Sequence, residues 1–293
     1  MQLPAKTAAL LPFTLALCYA RAVYQTLDVR DTALFFLSML CFEFLVTGLN
    51  NYQDTKKDGK PLPLPREAAK RLLLVLFALA MAAGLALGAL TGPVVLLCGA
   101  VCFAVGVAYS FGPYPLSHLP LGEALSGLFE GLGIPFLVVI INAPHALLSW
   151  ALRSGTLTLT FRLPDLLRLG LLCVPCMLCI AGIMLANNIC DAEDDLRVGR
   201  RTLPSFLGRK NSLLLFSFLY YLSFAAVLLS ALLRVMPPYA ALALAALIPV
   251  QRNLAAFGRV QSKARTFPLS VHNFLWLLLP LIAAEGAAAL LAR

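Results

Sequence analysis

The chain has 293 residues, of which 60% are hydrophobic and 13% are charged, whereas an ordinary soluble protein has about 45–50% and about 25%. These proportions exclude a soluble globular enzyme. Lys and Arg outnumber Asp and Glu by 23 to 14, and in a membrane protein such an excess is typical of loops that face the cytoplasm and anionic lipid rather than of nucleic-acid binding.

Apolar runs of roughly 18 or more residues recur along almost the whole chain, and each is long enough to cross a hydrocarbon core about 30 Å thick. They predict an all-α polytopic membrane protein of about nine transmembrane helices, organised as one transmembrane domain over residues 1–293. Pro135 follows Gly131 and Gly133 inside one run, and membrane helices tolerate such breaks where the freed backbone groups line a protected cavity, so we expect a central cavity. The predicted spans are 8–25, 32–52, 71–91, 93–111, 120–141, 168–190, 211–233, 236–251 and 269–291.

The basic residues indicate the orientation of these spans. With nine spans, 16 of the 23 Lys and Arg residues fall on the side of the N-terminus, which the positive-inside rule places in the cytoplasm. We therefore expect these loops, and with them the active site, to lie on the cytoplasmic side. We further expect the protein to be integral to a bacterial inner (plasma) membrane. The 16 residues are Lys6, Lys56, Lys57, Lys60, Arg66, Lys70, Arg71, Arg197, Arg200, Arg201, Arg209, Lys210, Arg252, Arg259, Lys263 and Arg265.

Two polar clusters interrupt this apolar chain, and both fit the pattern N-x-x-x-D-x-x-x-D. The first polar row is Asn50, Asp54 and Asp58, at the end of the second predicted span. A spacing of four residues places all three on one helical face, with about 40° of drift per step.

The second polar row repeats the pattern at the end of the sixth predicted span, with Asn187, Asp191 and Asp195. Either cluster alone could be a solvated start of a loop. Two copies of the same nine-residue spacing, each closing an apolar span on the same predicted side, favour a shared function.

Carboxylates gathered at a membrane boundary need a cation, because like charges repel and desolvation adds to the cost. Oxygen ligands without Cys or His indicate Mg²⁺, which typically bridges one or two carboxylates to the phosphates of a substrate. Nearby basic residues would bind the phosphate oxygens that the metal leaves free. The two rows therefore predict a diphosphate–Mg²⁺ site with Asp54, Asp58, Asp191 and Asp195 as catalytic residues. We expect the metal ligands to be Asn50, Asp54, Asp191 and Asp195, and the substrate ligands to include Asn50, Asn187, Lys57, Arg197 and Arg201.

These motifs resemble those of the UbiA superfamily of intramembrane prenyltransferases, which carry an N-x-x-x-D-x-x-x-D motif after the second span and an Asp-rich motif after the sixth. The stretch from Asn187 to Gly208 is similar to the N-N-x-x-D-x-x-x-D-x-x-x-G-x-x-T-L-x-x-x-L-G form of the branch that prenylates 1,4-dihydroxy-2-naphthoate in menaquinone synthesis. Tyr109 to Pro113, and Pro4 to Thr7, also resemble that branch. There are two departures: Asn51 stands where the family often has Asp, and the Arg of the family's R-P-K-T is missing before Pro4.

The resemblance implies transfer of a polyprenyl group from an isoprenyl diphosphate to an aromatic acceptor, with Mg²⁺ as cofactor. It further implies that Tyr109 and Ser110 bind substrate near the diphosphate, and that a naphthoate acceptor loses its carboxylate as carbon dioxide. The acids Glu43, in the second predicted span, and Glu123 and Glu130, in the fifth, stay unassigned. The expected partners are the two substrates and membrane lipid, without an obligate protein partner.

Two alternatives remain open at this point. The same chemistry could serve another acceptor, namely 4-hydroxybenzoate, homogentisate, haem or a glycerol phosphate lipid. A cation-coupled transporter would also carry acids in its spans, although such proteins typically place them near the bilayer midplane rather than at the ends of helices.

Overall fold

A computed structural model describes residues 3–58, 64–112 and 115–292 of the chain, without the side chains of residues 3–7, 54, 56–58 and 157. It divides into two compact units. The smaller unit is Asp28–His118, and the larger unit comprises Met1–Leu27 and Leu119–Arg293. That the whole chain acts as one domain stays a prediction.

The smaller unit consists of three long helices and a short 3₁₀ turn. Its first two helices, α2 (Val29–Asp58) and α3 (Arg66–Thr91), are joined by a hydrogen bond of 2.9 Å from the Ser38 hydroxyl to the carbonyl of Ala80. Gly92, with a φ of 102°, ends the third helix, and the next residue is a proline at the first position of the fourth, where its missing N–H costs nothing. The elements are α2 (Val29–Asp58), α3 (Arg66–Thr91), α4 (Pro93–Ser110) and the 3₁₀ turn Leu116–His118.

The larger unit contains the remaining helices and one β-hairpin. Its most buried long helix is α7 (Leu163–Cys190). Cys173, Cys176 and Cys179 of α7 are all buried free thiols that pack as small apolar residues. The elements in chain order are α1 (Leu3–Tyr24), α5 (Gly122–Leu128), a π turn (Phe129–Gly133), α6 (Ile134–Asn142), β1 (Leu148–Arg153), β2 (Thr156–Phe161), α7 (Leu163–Cys190), α8 (Ala192–Arg197), α9 (Leu203–Leu232), a 3₁₀ segment (Pro238–Ala246), α10 (Leu247–Arg259) and α11 (Phe267–Leu291).

The π turn joins α5 to α6 without breaking the helical path. Pro135 has no N–H to donate to the carbonyl four residues earlier, and the N–H of Ile134 instead bonds to the carbonyl of Phe129, five residues earlier. The turn packs directly on the backbone of α7, because a Cβ added to Gly131 would lie 2.5 Å from the Cα of Met177. Glycine at this position thus allows α5 and α7 to approach closely.

The hairpin between α6 and α7 departs from the all-helical expectation. Its strands are antiparallel, and Ser154 and Gly155 connect them with φ angles of 50° and 78°, as in a two-residue type I′ turn. Alternation along the strands gives one face that carries Trp150 and its cross-strand partner Leu159, both exposed.

Helix lengths confirm the predicted class. By length and composition, eight helical segments of the described chain could cross a membrane, and Ala8–Tyr24 is a shorter apolar helix, which together agree with about nine spans. The sixth and seventh expected spans differ at their starts. Helix α7 begins at Leu163, and α9 begins at Leu203 and kinks at Gly208, where φ is 71° and ψ is 164°.

Candidate functional site

The second polar row lies where α7 ends and α8 begins. Helix α7 ends at Cys190, and Asp191 takes a φ of −98° and a ψ of 3° before α8 starts at Ala192. Two backbone hydrogen bonds nevertheless keep the four-residue spacing, because Asp191 N–H donates to the carbonyl of Asn187 (3.1 Å) and Asp195 N–H donates to that of Asp191 (2.8 Å). The row is therefore connected through its main chain across the break.

A lysine from a distant loop binds the first two members of this row. The Lys263 ammonium donates to Asn187 Oδ1 and to Asp191 Oδ2, and the Asn187 amide also faces Asp191 Oδ2 at 3.4 Å. The Lys263 side chain is 39% exposed and that of Asp191 34%, so the pair is accessible from solvent. The sequence did not single out Lys263 as a site residue, because 72 residues separate it from Asp191.

The third member of the row, Asp195, is buried and is held by its own motif. Its Oδ2 accepts a hydrogen bond from the Thr202 hydroxyl at 3.4 Å, and its Oδ1 lies 3.8 Å from the Arg200 guanidinium. Burial raises the pKa of the Asp195 carboxyl above its ordinary value, and Asp191 adds to this rise. Arg200, Thr202 and Lys263 act in the opposite direction.

A buried polar contact connects the row with α5. The Asn188 amide, next to Asn187 in the chain, donates to Glu123 Oε1 at 2.9 Å, and both side chains are buried. Glu123 Oε2 has no hydrogen-bond partner within the described part of the chain. The doublet Asn187-Asn188 was the sequence signal for this contact. The structure thus places Glu123 against Asn188, the residue that follows Asn187 of the second row.

The first polar row belongs to a single helix. Helix α2 runs through to Asp58, and Asn50 Oδ1 accepts a hydrogen bond of 3.4 Å from the buried Ser110 hydroxyl at the end of α4. This contact brings together two residues that the sequence assigned to the site. Tyr109, the neighbour of Ser110, is half-buried. The predicted side chains of Asp54, Lys57 and Asp58 lie outside the described residues.

The two predicted phosphate-binding arginines of α8 and the following loop lie on the surface. Arg197 pairs with Asp194 at 3.2 Å, and both of these side chains are largely exposed. Arg201 is also exposed. Neither residue is held in a buried position.

The second row has the chemistry of a cation site. Its donors are hard oxygens, and a side-chain ammonium already bridges two of them, as a bound cation would. Within the described residues, no group of three or more His, Cys, Asp or Glu side chains forms a metal cluster. The row therefore fits Mg²⁺ as part of a ligand set that other oxygens, such as those of a phosphate, would complete.

Two comparisons of the sequence with known proteins indicate its relatives. The sequence pattern of the UbiA prenyltransferase family matches residues 9–278. A 1,4-dihydroxy-2-naphthoate octaprenyltransferase of Bacillus subtilis (strain 168) is 25% identical over 221 residues. That alignment covers 71% of this chain but 65% of the relative, so the chain spans less than two thirds of the relative's length.

Solved structures share the fold at low sequence identity. A UbiA homolog from Aeropyrum pernix K1 gives a TM-score of 0.64 at 19% identity, with 93% of this chain and 97% of that chain covered. A UbiA homolog from Archaeoglobus fulgidus bound to GPP and Mg²⁺ gives a TM-score of 0.64 at 13% identity, with 97% of each chain covered. These likenesses concern the fold.

Proposed function

The chain belongs to the UbiA prenyltransferase family, and we propose that it transfers a polyprenyl group from an isoprenyl diphosphate to 1,4-dihydroxy-2-naphthoate, with Mg²⁺ as cofactor. The observation that carries the proposal is the second polar row, whose oxygens already bind a cation at the end of a membrane-length helix. The naphthoate acceptor rests on the B. subtilis relative and on the second motif. The diphosphate and the metal are those of the A. fulgidus homolog.

The second row would hold the metal through Asp191 and Asp195, and Asn187 would contact the diphosphate. In the first row, Asn50 and Asp54 would hold the metal, Asn50 would also contact the diphosphate, and Asp58 would act as a further catalytic carboxylate. Magnesium, when bound, supplies positive charge to the leaving diphosphate. Arg197, Arg201 and Lys57 would neutralise the phosphate oxygens that remain, and Tyr109 and Ser110 would contact the same group. These assignments follow the motif, residue by residue.

Charge on the leaving group governs the first step of this reaction. The allylic C–O bond breaks, and pyrophosphate leaves with the electron pair while the basic side chains stabilise its charge. The allylic cation must be kept from water by apolar walls, where aromatic rings stabilise it through cation–π contacts. The chain supplies 18 Phe and 8 Tyr for such walls.

The acceptor ring then forms the new carbon–carbon bond. A π-electron pair of the ring attacks the allylic cation. The ring then loses carbon dioxide when the acceptor is the naphthoate, or a proton when it is another aromatic acceptor. Glu123, with one carboxylate oxygen unpaired among the described residues, is a candidate to accept a proton from an acceptor hydroxyl. The transfer reaction is balanced in electrons and in protons without an oxidant or a reductant.

The proposal is tested with purified protein in lipid nanodiscs, supplied with Mg²⁺, a polyprenyl diphosphate and 1,4-dihydroxy-2-naphthoate. We expect pyrophosphate release, a prenylated naphthalene product, and loss of both when EDTA removes the metal. Parallel reactions use 4-hydroxybenzoate, homogentisate, haem and a glycerol phosphate lipid. Preference for one of these acceptors would contradict the naphthoate assignment, and no transfer to any acceptor by folded protein would contradict the activity.

A further inference from the structure

Lys263 occupies the second polar row in a way that the proposed reaction does not explain. Its ammonium binds Asn187 Oδ1 and Asp191 Oδ2, which are oxygens that the row would offer to a metal and its substrate. The row also lies at the C-terminal end of α7, where the helix dipole favours a cation. The Lys263 ammonium and a bound Mg²⁺ would thus compete for the same oxygens.

The loop that carries Lys263 is held on both sides of the residue. The Ser262 N–H donates to the Thr266 hydroxyl oxygen at 2.9 Å, and that hydroxyl donates to the carbonyl of Val260 at 2.9 Å. The Phe267 N–H donates to the carbonyl of Ser262 at 2.9 Å. These bonds fix the backbone around Lys263, whereas its four-carbon side chain can turn about several bonds.

The same ammonium also contacts an aromatic ring. In the position where it binds Asp191, it is 5.3 Å from the centre of the Phe267 ring, within the range of a cation–π contact. Rotation about the bonds of the lysine side chain would let the ammonium leave the carboxylate without a movement of the loop. Because the pair with Asp191 is partly exposed, breaking it costs little.

We propose that Lys263 is an internal cation of the second row that changes partners when substrate binds. This inference rests on the proposed function. Without ligand, its ammonium neutralises Asp191. When Mg²⁺ and an isoprenyl diphosphate bind, Asp191 would be a ligand of the metal, and the released Lys263 ammonium would form a charge-assisted hydrogen bond to a phosphate oxygen. Lys263 would then oppose binding of Mg²⁺ alone and favour binding of the diphosphate.

Two binding measurements on Lys263→Gln separate these effects. The full-length protein in nanodiscs of zwitterionic lipid is titrated calorimetrically with Mg²⁺ alone, and then with geranyl thiolodiphosphate, which ionises slowly, in the presence of Mg²⁺. We expect the variant to bind Mg²⁺ alone about threefold more tightly, since no ammonium competes. We expect it to bind the thiolodiphosphate about tenfold more weakly, since one charged donor is lost.

Two further variants serve as controls. Lys263→Arg keeps the charge and should bind the thiolodiphosphate within about threefold of the unchanged protein. Lys210→Gln removes an exposed lysine of α9 that has no contact with the second row among the described residues, and it should change neither titration. Thermal unfolding checks that each protein is folded, and Lys263→Met replaces Lys263→Gln if the latter is not.

The outcomes distinguish this inference from the function on which it rests. Affinities that both fall, both rise or both stay constant in folded Lys263→Gln would overturn the exchange of partners. An unchanged protein that binds neither Mg²⁺ nor the thiolodiphosphate would instead overturn the proposed function, and the inference with it. Opposite changes in the two affinities are the result that supports it.

Discussion

The two polar rows have the same residue spacing but different local structures. The first row lies on α2, a helix that continues to Asp58, whereas α7 ends within the second row and Asp191 has a non-helical conformation. After this break at Asp191, the chain continues as the short helix α8. The shared spacing therefore fixes the order of the ligands along the chain but not the path of the backbone that carries them.

Side chains from other elements contact both rows. Asn50 of the first row accepts a hydroxyl hydrogen bond from Ser110, and the side chains of Asp54 and Asp58 lie outside the described residues. The second row is contacted by an ammonium, a guanidinium, a hydroxyl and, through Asn188, a carboxylate. The second row, which lacks helical continuity, is thus held by side chains from several other elements, and the following substitutions test how much it depends on them.

The largest effect is expected from removing one carboxylate of each row. Asp191→Ala and Asp54→Ala should each lower the rate of prenyl transfer by about 10³-fold, because each removes charge that holds the metal against the leaving diphosphate. Pyrophosphate release under single-turnover conditions measures the chemical step. Equal losses would show that the two rows contribute alike in spite of their different backbones.

The control for this pair is Asp194→Ala, which removes an exposed carboxylate of α8 that pairs with Arg197 and belongs to neither row. Its rate should stay within about twofold of the unchanged protein, as expected for loss of an exposed ion pair. Full activity of both Asp191→Ala and Asp54→Ala would contradict a carboxylate-bound metal at either row.

A smaller effect is expected from the buried carboxylate behind the second row. Glu123→Gln keeps an oxygen that can accept from the Asn188 amide but removes the negative charge. If Glu123 accepts a proton from the acceptor, turnover should fall at least about tenfold while the Kd for the diphosphate stays constant. Glu193→Gln on the exposed surface of α8 is the matched control. A changed Kd with constant turnover would indicate instead that Glu123 only positions the row.

The smallest effect is expected from the hydroxyl groups that contact each row. Thr202→Val and Ser110→Ala remove hydrogen bonds of 3.4 Å to Asp195 and Asn50. Calorimetry should show Mg²⁺ binding about threefold weaker for Thr202→Val, because the valine leaves a buried carboxylate with one fewer donor. For Ser110→Ala, we expect a change below about twofold, since Asn50 carries no charge. The reverse order would contradict a stronger effect of the hydroxyl that contacts a charged side chain.

Periodic and compositional features made most of the fold predictable from the sequence. Membrane-length apolar runs are visible without tertiary information, and the four-residue spacing locates both rows. The hairpin was missed although its second strand alternates as Thr156-Leu157-Thr158-Leu159-Thr160, because its apolar residues lie close to those of the spans. Its two-residue turn, Ser154-Gly155, was the available signal.

The contacts of the site could not be predicted in the same way. Lys263 was only one of many basic residues on its predicted side, and its selection as the partner of Asp191 depends on how the α10–α11 loop folds. The pairing of Glu123 with Asn188 likewise requires α5 to pack on α7. Such contacts join residues far apart in the chain, and a single sequence contains no periodic signal for them.

The π turn sets the rotational phase of the helix that carries Glu123. Residues of an α-helix follow one another at about 100° around the axis, so deleting one residue from Phe129–Gly133 would rotate everything before the turn by that angle relative to α6. Glu123 would then turn away from Asn188, although every side chain of the contact would still be present. The number of residues in this turn, rather than their identity alone, thus determines which face of α5 meets the end of α7.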